Sequence, residues 1–170
     1  MITGAASAVP INYLGTLSSG QVAFGFVTLP ADGNGFDNPE TWQWWNFFAA
    51  AGDFITVDVD RTEAAPDMVS SAFFGLPTDT NPMIDIFDTP AGATLMAFGD
   101  DNVDDAFGGP FGDPLYSFTA PSTGWYSVAV GNFLGAGSGG YQIVITGQTP
   151  TPGAAAVLGL GGLILSRRRR

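Results

Sequence analysis

The sequence predicts an all-β fold: two antiparallel sheets packed as a sandwich or jelly roll of about eight to ten strands, with a short hydrophobic helix at the C-terminus. Two observations carry the sheets. Between Ile11 and Thr146 the chain is a series of short apolar or alternating runs rich in Val, Ile, Phe, Tyr and Thr, separated by Gly, Pro, Asp and Asn clusters. No stretch of that region keeps a helical period. A third observation sets off the tail: after "GQTPTPG" comes an uninterrupted apolar run, the one sharp change of composition in the chain.

In chain order the predicted strands are Tyr13–Leu17, Gln21–Leu29, Trp42–Ala49, Phe54–Asp60, Met68–Phe74, Met83–Phe87, Thr94–Phe98, Leu115–Thr119, Trp125–Val130 and Tyr141–Thr146. In "FITVDVD", Ile55, Val57 and Val59 share one face while Thr56, Asp58 and Asp60 share the other, as in a strand with one wet side. "WYSVAVG" places Tyr126, Val128 and Val130 together in the same way. Acids and prolines would blunt the sheet edges. The longest polar insertions are Pro30–Glu40 and Gly99–Pro114, and long loops on a rigid β scaffold are where function sits.

The chain has 170 residues, 45% of them hydrophobic, enough for one buried domain and a tail but not for two full domains. Sixteen acids against five Arg give a net charge of −11, and without the four terminal Arg sixteen acids face Arg61 alone, or −15. Such a body repels phosphate backbones and anionic lipid, which argues against nucleic-acid binding, while excess carboxylates suit hard cations such as calcium. With no Cys there are no disulfides or thiolate sites; with no His or Lys, the commonest general base, the Ser-His-Asp triad and Schiff-base chemistry are closed as well. The sequence therefore reads as a non-enzyme. A pair of carboxylates working on a glycosidic bond is the chemistry left to it, and with sixteen acids some pair reaches a suitable spacing by chance.

Residues 1–8 read as the remnant of a signal peptide, because Ala6-Ser7-Ala8 has the small-residue pattern of a signal-peptidase site. Residues 9–147 form the β domain, 148–153 a stiff Pro/Gly linker, and 154–170 a hydrophobic tail with an Arg stop. Ala154–Leu165 would reach about 18 Å as a helix against a hydrocarbon core of about 30 Å, so the tail is a marginal transmembrane anchor. Arg behind it would stay on the cytoplasmic side and leave the acidic domain outside.

Pro150, Pro152 and Gly153, the Ala/Leu/Gly run, and Arg167, Arg168, Arg169 and Arg170 together resemble the PEP-CTERM sorting signal, also catalogued as an ice-binding-protein C-terminal domain. The likeness covers roughly the last twenty residues and departs at Thr151, where the namesake motif has Glu. It implies export, transient inner-membrane insertion, cleavage near the prolines by an exosortase-type enzyme, and delivery to the cell surface or extracellular matrix. Ice binding would need a flat, repeating array of Thr-like side chains, and the sequence has no such repeat.

The order "AAAGDFITVDVD", "NPMIDIFDTPAGATLMAFGDDN", "PLYSFTAPSTGWYSVAVGNF", "GGYQIVITG" is similar to the bacterial pre-peptidase C-terminal domain over about Ala49 to Gly147. That family is a β-sandwich used as an accessory module on secreted proteins, and some members bind calcium. Asn81-Pro82 stands where the family usually has Asp-Pro.

The densest acid cluster is Asp100, Asp101, Asn102, Asp104 and Asp105, close in sequence to Asp85 and Asp88. Calcium takes six to eight oxygens, which alternating carboxylates on an irregular loop can supply. Asp100-x-Asn102-x-Asp104 begins like an EF-hand loop, but Asp105 stands where that loop needs Gly and Phe111 where it needs Glu. The alternative is a solvated turn, since Asp and Asn favour turns. In "TWQWWNFF", Trp42 and Trp44 fall on one face and Trp45 and Phe47 on the other. Exposed, the tryptophans could stack on the rings of an extracellular polysaccharide; buried, they mark a strand covered on both sides. The sequence thus points to an exported surface module, calcium-stabilised, with carbohydrate binding through Trp42, Trp44 or Trp45 as the alternative and a small polysaccharide-active enzyme third.

Overall fold

Nine strands form where the alternating runs lie, in a computed structural model that describes residues 8–30, 35, 37–64, 67–101, 113–133 and 137–149. They are β1 (Tyr13–Thr16), β2 (Val22–Val27), β3 (Gln43–Ala49), β4 (Phe54–Arg61), β5 (Met68–Phe74), β6 (Thr94–Gly99), β7 (Leu115–Thr119), β8 (Gly124–Asn132) and β9 (Gly139–Thr146). A 3-10 turn at Pro39–Thr41 leads into β3, and among the described residues there is no α-helix. The possible signal-peptide segment, apart from Ala8, and the chain from Pro150 onward, with its expected helix, lie outside the described residues.

The strands build a five-stranded sheet, β1-β3-β8-β5-β6, and a four-stranded sheet, β2-β9-β4-β7. β1 runs parallel to β3 and every other pairing is antiparallel. The two sheets pack face to face, as the alternation predicts. Ile55, Val57 and Val59 of β4 are fully buried against Tyr126, Val128 and Val130 of β8 and against Trp45, Phe47 and Ala49 of β3. Each such aliphatic side chain contributes roughly 1.5–3 kcal/mol on leaving water. Thr56, Asp58 and Asp60 stay on the wet face.

The polar ends of the core aromatics are satisfied inside. Trp45 Nε1 donates to the Tyr141 hydroxyl at 2.9 Å, which donates to Gln43 Oε1 at 2.9 Å. The same Gln43 oxygen accepts the Phe26 backbone N–H, so one side chain of β3 covers the free edge of β2 in the opposite sheet. Gly25 is required beneath this network, since a Cβ there would fall 2.2 Å from the Tyr141 ring.

A second apolar layer covers part of the outer face of the five-stranded sheet. Met83 and Ile86 pack on Trp42, Trp44, Val69, Phe73 and Ala129. The segment carrying them is held down by Tyr13, whose hydroxyl donates to Pro77 O, and by the Ile11 N–H, which donates to Thr78 O. Here the expected strand Met83–Phe87 is corrected: Met83 and Ile86 are buried and Ile84 is exposed, but the backbone forms turns. Met83 N–H bonds Thr80 O; Asp88 Oδ2 accepts the N–H groups of Ile84 and Asp85, and Asp85 Oδ1 accepts that of Phe87. With those donors consumed locally, no ladder can form.

Candidate metal centre

Both chain crossings from one sheet to the other that follow β4 and β6 lie at the same end of the sandwich. β4 ends in Arg61, Asp67 immediately precedes β5, Asp100 and Asp101 follow β6, and Asp113 stands before β7. The β5–β6 register, with Ser70 opposite Gly99, carries Asp67 alongside the Asp100-Asp101 pair although 33 residues of chain separate Asp67 from Asp100. One carboxylate oxygen from each of Asp67, Asp100 and Asp101 falls within 4.8 Å of the others.

The burial of these groups is graded. Asp67 is 1% exposed and Asp100 half-buried, while Asp101 is open to solvent. Neither oxygen of Asp67 has a hydrogen-bond partner among the described residues, and Asp100 Oδ1 is likewise buried without one. Backbone position explains the burial: Asp67 O accepts the Phe133 N–H at 2.6 Å, which seats the residue beside the end of β8. Beneath the cluster Arg61 Nε lies 2.8 Å from Asp113 Oδ1, with both side chains almost fully buried. The N–H does not point straight at that oxygen, so the contact is ionic rather than a linear hydrogen bond.

Burial pushes the Asp67 carboxyl up to about 7, helped by the charges of Asp101 and Asp100, with Arg61 pulling the other way and Asp113 adding to the rise. Asp100 is also raised, first by burial and then by Asp101. An anion held in a dry site without donors is costly unless a cation joins it. Three convergent carboxylates supply only part of the six to eight oxygens calcium takes, and water and backbone carbonyls commonly complete such a set.

The sequence-predicted ligands divide into three groups. Asp100 and Asp101 are brought together. Asn102, Asp104 and Asp105 lie outside the described residues. Asp85 and Asp88 are not in the cluster; they accept backbone N–H groups in their own turn. Asp67 was missed, because a single Asp in front of a buried strand gives no sign of its partners until the strand pairing is known.

The three tryptophans of β3 and its approach are inside. Trp42, Trp44 and Trp45 are 6%, 2% and 7% exposed. Trp42 Nε1 donates to Gly35 O, Trp44 stacks on Phe73 at 5.7 Å, and Trp45 belongs to the inner core. Of the two readings of these tryptophans the buried one holds and the sugar-stacking alternative is corrected: at Trp42, Trp44 and Trp45 the strand and its approach are covered by the opposite sheet or by the Met83–Ile86 layer.

No protein-family model matches the chain, and no curated protein matches its sequence. Among solved structures it is similar to MopE, a secreted protein of Methylococcus capsulatus in which an oxidised tryptophan facilitates copper binding, at 14% identity over 86% of this chain and 97% of that one, with a TM-score of 0.54. It is also similar to CorA of Methylomicrobium album BG8, a surface-associated copper-binding protein, at 13% identity over 81% of this chain and 98% of that one, with a TM-score of 0.52. The pre-peptidase C-terminal domain of a Bacillus anthracis collagenase aligns at 12% identity over 79% and 97% of the two chains with a TM-score of 0.45. At such identities the likeness to MopE and CorA is one of fold alone.

Proposed function

We propose that the protein is an exported, non-catalytic β-sandwich that serves at the cell surface or in the extracellular matrix as a binding module, with a calcium ion clamped at one end of the sandwich. The single observation that carries this reading is Asp67: a carboxylate 1% exposed, with no hydrogen-bond partner among the described residues, facing two further carboxylates. Asp67, Asp100 and Asp101 would hold the ion, and the ion would supply the positive charge that lets all three stay ionised. Asn102, Asp104 and Asp105 follow directly in the sequence and offer more oxygen ligands.

The copper described for MopE and CorA does not suit these residues. The chain has no His and no Cys, and carboxylates select hard, oxygen-seeking cations over copper. The same missing side chains support the non-catalytic reading. Export rests on the tail: its Pro/Gly linker, apolar run and Arg block would carry the protein to an exosortase-type processing enzyme and into the inner membrane transiently. Among the described residues no helix is long and apolar enough to cross a membrane.

Thermal melting of the full chain tests the clamp. Calcium at about a hundred times its dissociation constant should stabilise the fold by about 2.7 kcal/mol, a rise of roughly 5–10 °C for a domain of this size. Asp101→Ala, at an exposed position, should melt normally in EDTA and lose the rise. An unchanged melting temperature across millimolar calcium would end this reading.

A further inference from the structure

The sequence has four tryptophans, and the one that reaches solvent is Trp125, at 43% exposure. It stands at the start of β8, directly opposite Phe48 of β3 on the outer face of the five-stranded sheet. The two rings meet edge to face, with centroids 5.6 Å apart and planes at 80°. The next outward residue of β3 is Asn46, whose Oδ1 accepts the Thr16 hydroxyl at 2.6 Å. Its Nδ2 amide makes no hydrogen bond to a described residue. Leu76, 40% exposed, follows Gly75, whose N–H donates to Trp125 O at 2.9 Å.

We propose that Trp125, braced edge-on by Phe48, forms a binding platform for a neutral polysaccharide. An indole face beside an amide donor is the pairing that recognises a pyranose: the ring's C–H face stacks on the aromatic carbon while a hydroxyl accepts from Asn46 Nδ2. The Met83–Ile86 layer covers Trp42 and Trp44 on this same sheet face but leaves the Phe48–Trp125 end open, so one part of the face is core and the other is surface. Charge selects the occupant. None of Thr16, Asn46, Phe48, Leu76 and Trp125 is charged, whereas the chain without its Arg block carries −15. That field repels an anionic polysaccharide and a second copy of the chain alike, and leaves a neutral glycan unopposed.

This inference rests on the binding-module reading and supplies its ligand class, but not on the calcium clamp. β8 separates the two places: Trp125 is near its beginning, and Asp67 lies beyond Met68, which pairs with Asn132 at its end. Eight residue steps along a strand span roughly 27 Å.

Affinity electrophoresis of the full chain in native gels containing hydroxyethylcellulose, xylan, galactomannan or alginate tests the proposal, each run with calcium and with EDTA. Retardation by at least one of the three neutral polymers is expected, in both calcium and EDTA. Trp125→Ala should weaken it about tenfold, Trp125→Tyr should restore most of it, and both should melt within a few degrees of the parent. Phe24→Ala, at an exposed ring of the other sheet, should leave it unchanged. No retardation by any neutral polymer, retardation by alginate alone, or equal retardation of Trp125→Ala would overturn the proposal. Retardation that persists in a protein without calcium stabilisation would count against the metal centre and for the platform.

Discussion

Two aspartates, both nearly excluded from water, are treated in opposite ways. Asp53, 7% exposed, sits in the turn between β3 and β4 and accepts hydrogen bonds from Ala50 N at 2.8 Å, Thr149 N at 3.1 Å and Thr149 Oγ1 at 3.3 Å. Burial alone would raise its pKa, but the bonds from Ala50 and Thr149 outweigh burial and hold it below the usual carboxylate value. Asp67, 1% exposed, accepts none and is raised to about 7. The first carboxylate is completed by its own chain; the second is left for something else to complete. Burial by itself therefore does not mark a site. A buried acid with neither donors nor an ion-paired cation, such as Arg61 gives Asp113, does.

The largest expected effect is at Asp53. Asp53→Ala leaves three donors without their acceptor and should cost roughly 2–3 kcal/mol in urea unfolding, equally in calcium and in EDTA. A cost that depends on calcium would break the comparison. Asp67→Asn should act with the opposite sign: in EDTA at pH 8 it removes an unpaired buried charge and should stabilise the protein by about 1–2 kcal/mol, while abolishing the response to calcium. Destabilisation in EDTA would show that Asp67 is structurally satisfied after all.

A smaller effect follows from pH. The folded pKa of Asp67, about 7, lies above its unfolded value of about 3.9, so the metal-free folded state binds the extra proton between those limits. Stability from this group is greatest at low pH and is lost as pH rises through 7. In EDTA the fold should lose on the order of 1 kcal/mol between pH 6 and pH 8, and Asp67→Asn should flatten that slope.

Most of the fold could be read from alternation. β4, β7 and β9 begin and end within two residues of the expected limits, because a period of two with one apolar face leaves little choice of register. Met83–Phe87 misled for a physical reason: buried apolar residues can be supplied by turns as well as by strands, and Asp85 and Asp88, which read as metal ligands, are the residues that make those turns. Two of the three carboxylates of the candidate centre were legible as the Asp100-Asp101 pair. Asp67 became a member only through the β5–β6 register. The Phe48–Trp125 pair is likewise a product of β3–β8 pairing, across 77 residues of chain.

Thr149 also has a mechanical meaning. Its N–H and hydroxyl both end on Asp53, and Gln148 Nε2 reaches Leu17 O at 3.2 Å, so the last described residues are moored to two other points of the chain, the β3–β4 turn and the end of β1. Tension applied to the chain beyond Thr149 reaches these side-chain bonds before it reaches the backbone ladder of β9. The mooring thus fixes where the chain leaves the sandwich, so the direction in which it continues is set by the β3–β4 turn and the end of β1 as well as by β9.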